Sequence, residues 1–220
     1  NSYIENSLSK LKEHSLYNNI SVFIKDPLPE SINIKQVLKK IEYIIPIHLV
    51  YNLDSIYIGD FEHLNNREVG SIYENGTIFI TNALIDDDQL IEHIVHEIAH
   101  MVEETSPDII YTDGKLEIEF LGKRSRLERM VKYHDYDVDH LDFSDPDYSK
   151  DMDAYIYKEI GYEKMTNFTN GLFITPYAVT SLREYFATAF EHYYINNNPQ
   201  RIKDISPEAY KKLEYINDMV

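Results

Sequence analysis

Residues 88–104 read DQLIEHIVHEIAHMVEE, and the spacing of their apolar side chains predicts the helix around which the fold is built. These side chains recur three and four positions apart, which places them on one helix face that packs against a core. They are Ile91, Ile94, Val95, Ile98 and Val102. Three aspartates, Asp86, Asp87 and Asp88, stand at the predicted helix start, where carboxylates cap amide groups and interact favourably with the helix dipole.

β-rich runs elsewhere predict a small sheet. Strands are expected at 21–24 and 53–58, because these runs are rich in β-branched and aromatic side chains. A hairpin is expected at 69–81, since Asn75-Gly76 is a strong signal for a type I′ turn. A sheet followed by the long amphipathic helix predicts a mixed α/β organisation for the first half of the chain.

Further helices are expected where apolar residues recur at helical spacing. The predicted ranges are 2–13, 33–44, 116–133, 153–161, 179–195 and 206–218, with a loop or short strand at 167–175. This order of elements predicts an α+β fold. We expect an N-terminal α/β lobe with a small mixed sheet at 1–105, and a mainly helical C-terminal lobe at 106–220.

Composition limits the classes of protein to which the chain can belong. Thirty-eight Asp and Glu against 21 Lys and Arg give 220 residues a formal charge of −17. Such a surface repels phosphate backbones and anionic lipids, so we expect no nucleic-acid partner and no membrane partner. The chain has no cysteine, which excludes disulfides and cysteine-ligated metal sites.

The sequence leaves the compartment and the oligomeric state open. No apolar run approaches the roughly 18–20 residues that span a bilayer, so we expect a soluble protein. A cysteine-free chain is compatible with secreted and with intracellular proteins. The first residue is Asn1 rather than Met, which agrees with the removal of a targeting segment.

His96 and His100 lie one turn apart in the predicted helix, with Glu97 between them. At about 100° per residue, positions four apart differ by about 40°, so both imidazoles can bind one metal ion from the same side. Glu97 points about 100° away from His96, where it can reach a metal-bound water without binding the metal. This is the H-E-x-x-H pattern of zinc hydrolases. The alternative interpretation is a helix that carries two half-exposed histidines without a metal ion.

A catalytic zinc takes three protein ligands and keeps one open position. Glu103 and Ser106 stand where the metzincin pattern requires Gly and His, so the third ligand must come from elsewhere. Glu184 is a lone carboxylate beside the apolar stripe of the predicted helix at 179–195, where a cation partner would stabilise it. Two histidines beside an Asp-rich run remain alternative third ligands: His134 and His140.

The motif HEIAH at 96–100, with Tyr177 seven residues before Glu184 and two aromatic residues and Ala after it, resembles a known family. It is similar to the catalytic domain of the anthrax-lethal-factor-like zinc metallopeptidases, a group that includes the clostridial Pro-Pro endopeptidases. The resemblance is strongest over 88–104 and 177–216.

The resemblance implies a zincin-like metallopeptidase fold forming one catalytic domain, with one Zn²⁺ per chain. It implies that His96, His100 and Glu184 bind the zinc, that Glu97 is the general base, and that Tyr177 stabilises the oxyanion. The expected activity is hydrolysis of peptide bonds by a gluzincin-type endopeptidase, and the expected partner is a protein or peptide substrate.

Two departures from the family pattern leave a second function open. Thr188 stands where the family usually has a second Glu, so the hydrogen-bond support of the metal ligand is altered. The stretch 101–183 is longer than the resemblance leads us to expect. The alternative is a non-catalytic, zinc-stabilised, protease-like binding module.

Other polar side chains have plainer interpretations. We expect His93, one turn before His96, to be a packed or rim histidine, and we expect Glu103 and Glu104 to be solvated carboxylates. The segment 131–153 carries eight Asp and two Lys, a net charge of −6, and is expected to be an acidic surface. If it borders the site, it favours basic peptides, and calcium binding by this segment stays open.

Overall fold

The computed structural model describes residues 12–196 and 198–219 and shows an α+β protein with one small mixed sheet and many helices. The α+β class expected from the sequence is thereby confirmed. The chain divides into two compact units, at 1–105 and 106–220. Most of the helix predicted over 2–13 lies outside the described residues, and its last two residues lie in a strand instead.

Over residues 12–105, five strands form the sheet of the first unit. They are β1 (Lys12–Leu16), β2 (Ile20–Ile24), β3 (Ser55–Ile58), β4 (Ser71–Glu74) and β5 (Thr77–Ile80). Their spatial order is β1-β2-β3-β5-β4, so β4 is an edge strand of the described sheet. The inner pairs β2–β3 and β3–β5 are parallel, and the outer pairs are antiparallel.

The predicted hairpin is the antiparallel pair β4–β5. Its two turn residues, Asn75 and Gly76, have φ angles of 49° and 80°, as a type I′ turn requires at both central positions. The hairpin therefore forms where the local turn chemistry predicts it. It places Ser71 at the start of the edge strand β4.

Three helices accompany the sheet in the described part of the first unit. They are α1 (Ile34–Ile44), α2 (Glu62–Arg67) and α3 (Asp87–Thr105), with a 3₁₀ turn at Ile47–Val50. The predictions at 33–44 and 88–104 are confirmed to within one residue. The sequence did not indicate α2, because its short polar sequence carries a single buried apolar side chain, Leu64.

Helix α3 packs its apolar face against α1 and against the hairpin strands β4 and β5. Ile94, Val95 and Ile98 are fully buried there. At the helix start, the Asp86 carboxylate accepts a hydrogen bond from the amide of Gln89 at 3.0 Å, which satisfies one of the unpaired N–H groups. The helix is thus held along its apolar side and capped at its beginning.

The described residues of the second unit form helices joined by turns and loops, without a strand. Its elements are α4 (Pro107–Ile110), α5 (Lys115–Tyr133), α6 (Lys150–Tyr155), a π turn (Ile156–Ile160), α7 (Tyr162–Thr169), a 3₁₀ turn (Tyr177–Val179), α8 (Leu182–Ile195), α9 (Pro199–Ile205) and α10 (Pro207–Asn217). The helices predicted at 116–133, 179–195 and 206–218 are confirmed. At 167–175 the structure has the end of α7 and a turn, without a strand.

A buried hydrogen-bond network links α5, α8 and the junction of α9 and α10. The ammonium of Lys123 donates to the Tyr185 hydroxyl at 2.5 Å, to Ser206 Oγ at 3.2 Å and to the carbonyl of Ile205. The Tyr185 hydroxyl donates to Glu119 Oε1 at 2.7 Å. Burial lowers the pKa of Lys123 to about 8, although the charge of Glu119 acts in the opposite direction.

The acidic segment 131–153 is organised by protein donors. Buried Arg124 donates to the backbone carbonyls of Asp142, at 3.3 Å, and Asp145. The Asp142 carboxylate accepts from the amide of Ser144 at 2.8 Å. Among the described residues, no three acidic side chains of this segment come close enough together to hold a metal ion.

Across the same described residues, no helix has both the length and the apolar character needed to cross a bilayer.

We expect Ile94→Ala to lower the free energy of unfolding by about 2–5 kcal/mol, because it leaves a cavity under α3. Ile94 is fully buried, whereas Ile85 is 75% exposed in the same unit. The matched control Ile85→Ala should change the unfolding free energy by less than about 0.5 kcal/mol. Urea denaturation followed by circular dichroism measures both, and equal effects of the two substitutions would contradict the placement of α3.

We expect the wild-type protein to gain stability relative to Lys123→Met as the pH rises from 8 to 9.5. The pKa of Lys123 is lowered from 10.5 to about 8, so the unfolded chain binds more protons in this window. Stability then rises with pH, by up to about 1.4 kcal/mol per unit. Denaturation of both proteins at each pH measures this. The substitution of the exposed Lys158 by Met should leave the dependence of the unfolding free energy on pH as it is in the wild type. If Lys123→Met also shows the wild-type dependence on pH, the burial of the Lys123 ammonium is contradicted.

Candidate metal centre

His96 and His100 lie on α3 beside its buried face, and both are half-buried. Their ring centroids are 4.9 Å apart, and the rings meet edge to face at 82°. This proximity is the direct consequence of the four-residue spacing, since one helical turn brings the two positions to nearly the same side. The two imidazoles can therefore present nitrogen atoms to one ion.

His100 has a carboxylate partner on its own helix. Its Nδ1 lies 3.1 Å from Oε2 of Glu103, and Glu103 is only 4% exposed. The prediction that Glu103 is a solvated carboxylate is wrong, whereas Glu104 is exposed as predicted. A carboxylate that accepts from one ring nitrogen orients the imidazole and leaves the other nitrogen for a metal ion.

Glu97 is buried, with 4% of its surface exposed. The Ser71 hydroxyl, from the first residue of β4, donates to Glu97 Oε1 at 2.7 Å. The same hydroxyl oxygen lies 2.8 Å from Nδ1 of His93. A buried carboxylate is costly unless it is hydrogen-bonded, so this contact with the edge strand offsets part of the cost of burying Glu97.

Glu184 lies in the first turn of α8. The helix begins at the N-cap Ser181, whose side-chain oxygen accepts from the amide of Glu184 at 3.1 Å. A negative charge is favoured in this position, because the first turn of a helix carries the positive end of the helix dipole. Capping therefore holds the backbone of Glu184 in place, and its half-buried carboxylate can act as a ligand.

His96, His100 and Glu184 form a cluster that could hold a metal ion. One ligand atom from each side chain lies within 4.8 Å of the other two. Two imidazole nitrogens and one carboxylate oxygen are donors that divalent transition metals accept. The alternative ligands are engaged elsewhere, since His134 packs on Phe168 at 5.1 Å and His140 packs on Tyr155 at 5.1 Å.

Tyr177 opens the 3₁₀ turn that precedes the N-cap of α8. Its side chain is 36% exposed, and partial burial raises the pKa of its hydroxyl. The charge of Glu184 raises this pKa further. The hydroxyl therefore stays protonated at neutral pH and can donate a hydrogen bond near Glu184. Thr188, four residues further along α8, is buried.

Two functional candidates, Ser71 and Glu103, were missed by sequence reasoning. Glu103 lies three residues after His100, the spacing at which helix side chains meet, so its sequence position alone carried a usable signal. Ser71 carried none, because its contact with Glu97 spans 26 residues and depends on how β4 packs against α3.

The chemistry of these side chains is the basis for assigning a function to the chain. Two imidazoles and a carboxylate converge, a buried glutamate lies beside them, and a phenol lies next to the carboxylate ligand's helix. None of the family models, curated proteins or solved structures with which the chain was compared matches it.

Proposed function

We propose that the chain is a zinc-dependent endopeptidase with a zincin-like fold, in which His96, His100 and Glu184 bind Zn²⁺. The observation that carries the proposal is the convergence of these three ligand atoms within 4.8 Å. Two His and one Glu form the ligand set of gluzincin-type catalytic zinc, which keeps a fourth position open. The resemblance to the anthrax-lethal-factor-like metallopeptidases supports the same assignment.

Glu97 acts as the general base in this proposal. A zinc ion in the site would polarise the peptide carbonyl and lower the pKa of water to about 7. Glu97 takes a proton from the attacking water and later delivers it to the leaving amine. Its position next to His96 on the same helix supports this role, because a general base must lie within reach of the proton that it takes.

Tyr177 acts as the donor to the oxyanion. Its hydroxyl stays protonated because burial and the charge of Glu184 raise its pKa. A protonated phenol donates a hydrogen bond to the oxygen on which negative charge develops in the transition state.

The substrate is a protein or peptide segment in extended form. The edge strand β4 leaves one side without a partner strand among the described residues, and it packs against α3, which carries Glu97. An extended peptide can add to such an edge through main-chain hydrogen bonds. The formal charge of −17 supports a preference for basic peptides, which the protein's field attracts.

We expect the purified protein to bind about one zinc per chain, and we expect His96→Ala and Glu184→Ala to lose it. Removal of a direct ligand should weaken binding more than the roughly 10–100-fold that loss of an outer partner costs. Glu191→Ala, on the same helix as Glu184, is the matched control and should keep wild-type affinity. Metal analysis and chelator titration measure this, and wild-type affinity in Glu184→Ala would remove Glu184 from the ligand set.

We expect Glu97→Gln to keep its zinc and to lose peptide cleavage by at least about 100-fold, because the amide cannot accept the proton of the attacking water. Glu92→Gln, at an exposed position on the same helix, should keep wild-type activity. Turnover of a peptide library containing basic and acidic members measures both. Wild-type activity in Glu97→Gln would refute the mechanism, and a zinc-loaded wild type that cleaves nothing would favour a binding module.

A further inference from the structure

Glu97 is connected to a chain of hydrogen bonds within the first unit. Ser71 Oγ lies 2.7 Å from Glu97 Oε1 and 2.8 Å from His93 Nδ1, so one hydroxyl bridges the two side chains. His93 and Glu97 are both on α3, four residues apart, and Ser71 comes from the neighbouring edge strand. The two hydrogen bonds therefore connect the strand to the helix next to Glu97, the proposed general base.

The single proton of the Ser71 hydroxyl determines which group donates and which group accepts in each of these two hydrogen bonds. The Ser71 hydroxyl carries a single proton and donates it to Glu97 Oε1. The Ser71 oxygen then accepts from His93, which requires a proton on Nδ1 of that imidazole. The geometry thus selects the Nδ1–H form of His93 from the two neutral tautomers.

Gly70 allows His93 to occupy this position. A Cβ on Gly70 would lie 2.5 Å from Cε1 and 2.9 Å from Nε2 of the His93 ring, closer than real Cβ contacts. The backbone of Gly70 cannot move away freely, because its carbonyl accepts from the amide of Thr81 at 2.8 Å. The missing side chain at position 70 is therefore a condition for the hydrogen bond between His93 and Ser71.

We propose that Ser71 and His93 are positioning residues for Glu97, which hold Oε1 so that the other carboxylate oxygen accepts the proton of the attacking water. This inference rests on the proposed function, since it assigns a task to a hydrogen-bond chain around the general base. A carboxylate held on one side keeps a single rotamer, which removes the cost of orienting it at each turnover. His93 orients the Ser71 hydroxyl, because its Nδ1–H donates the hydrogen bond that the Ser71 oxygen accepts.

The test is the kinetics of Ser71→Ala with the library peptide that the wild type cleaves fastest. We expect kcat to fall about 10–100-fold, the usual cost of losing an outer partner in such a site, while KM, zinc content and melting temperature stay unchanged. Ser71→Thr restores the hydroxyl and should recover much of the lost kcat. His93→Asn, which keeps a donor near the position of Nδ1, should retain more kcat than His93→Phe.

Two further variants separate positioning from a general structural role. Gly70→Ala, which displaces His93, should lower kcat as Ser71→Ala does. Ser55→Ala removes a strand hydroxyl whose partner is Thr77, 3.4 Å away, and should leave kcat unchanged. Wild-type kcat in Ser71→Ala would overturn the proposal. A fall in kcat matched by a loss of zinc or of melting temperature would overturn it as well, because the bridge would then only stabilise the fold.

Nitrogen-15 spectra of the histidine side chains make this test independent of turnover. We expect wild-type His93, assigned by its loss in His93→Asn, to carry its proton on Nδ1, and we expect this preference to weaken in Ser71→Ala. A zinc-loaded wild type that cleaves no peptide would refute the proposed function without changing this spectrum. An Nε2–H form of His93 in an active enzyme would refute the bridge alone.

Discussion

Burial of the apolar face of α3 is the interaction on which the rest of the structure depends. Ile94, Val95 and Ile98 are fully buried and commit one side of the helix to the core. With 3.6 residues per turn, the side chains at 96 and 100 must then emerge together beside that face. The hydrophobic contact that stabilises the first unit therefore also sets the geometry of the two histidines.

Two carboxylates that the fold buries beside these histidines lower stability unless they are paired. Glu97 and Glu103 are each 4% exposed, and each has a hydrogen-bond partner, from Ser71 and His100 respectively. Removing carboxylates from water costs free energy that hydrogen bonds only partly recover. The burial of these two side chains therefore does not by itself stabilise the fold. The proposed function, in which the site holds a cation and Glu97 moves a proton, gives this placement a reason that core packing does not.

Much of this arrangement could be predicted from local patterns. The helix at 88–104, the type I′ hairpin and the pairing of His96 with His100 all follow from spacings of a few residues. The prediction of solvated Glu103 failed, because charge suggested exposure while its helical position faced His100. Strand β1 and helix α2 were not recognised, since short segments form through contacts with the rest of the sheet rather than through their own propensity.

The sequence by itself determined the His and carboxylate side chains of the candidate site, the helical geometry of the H-E-x-x-H residues and the acidic composition of the chain. Only the tertiary structure decided that Ser71 bridges His93 and Glu97, and that Glu184 joins the two histidines. The physical reason is the separation along the sequence of the residues that interact. Helical periodicity acts over one or two turns, whereas a contact between distant residues depends on how strands and helices pack, and no single segment contains that information.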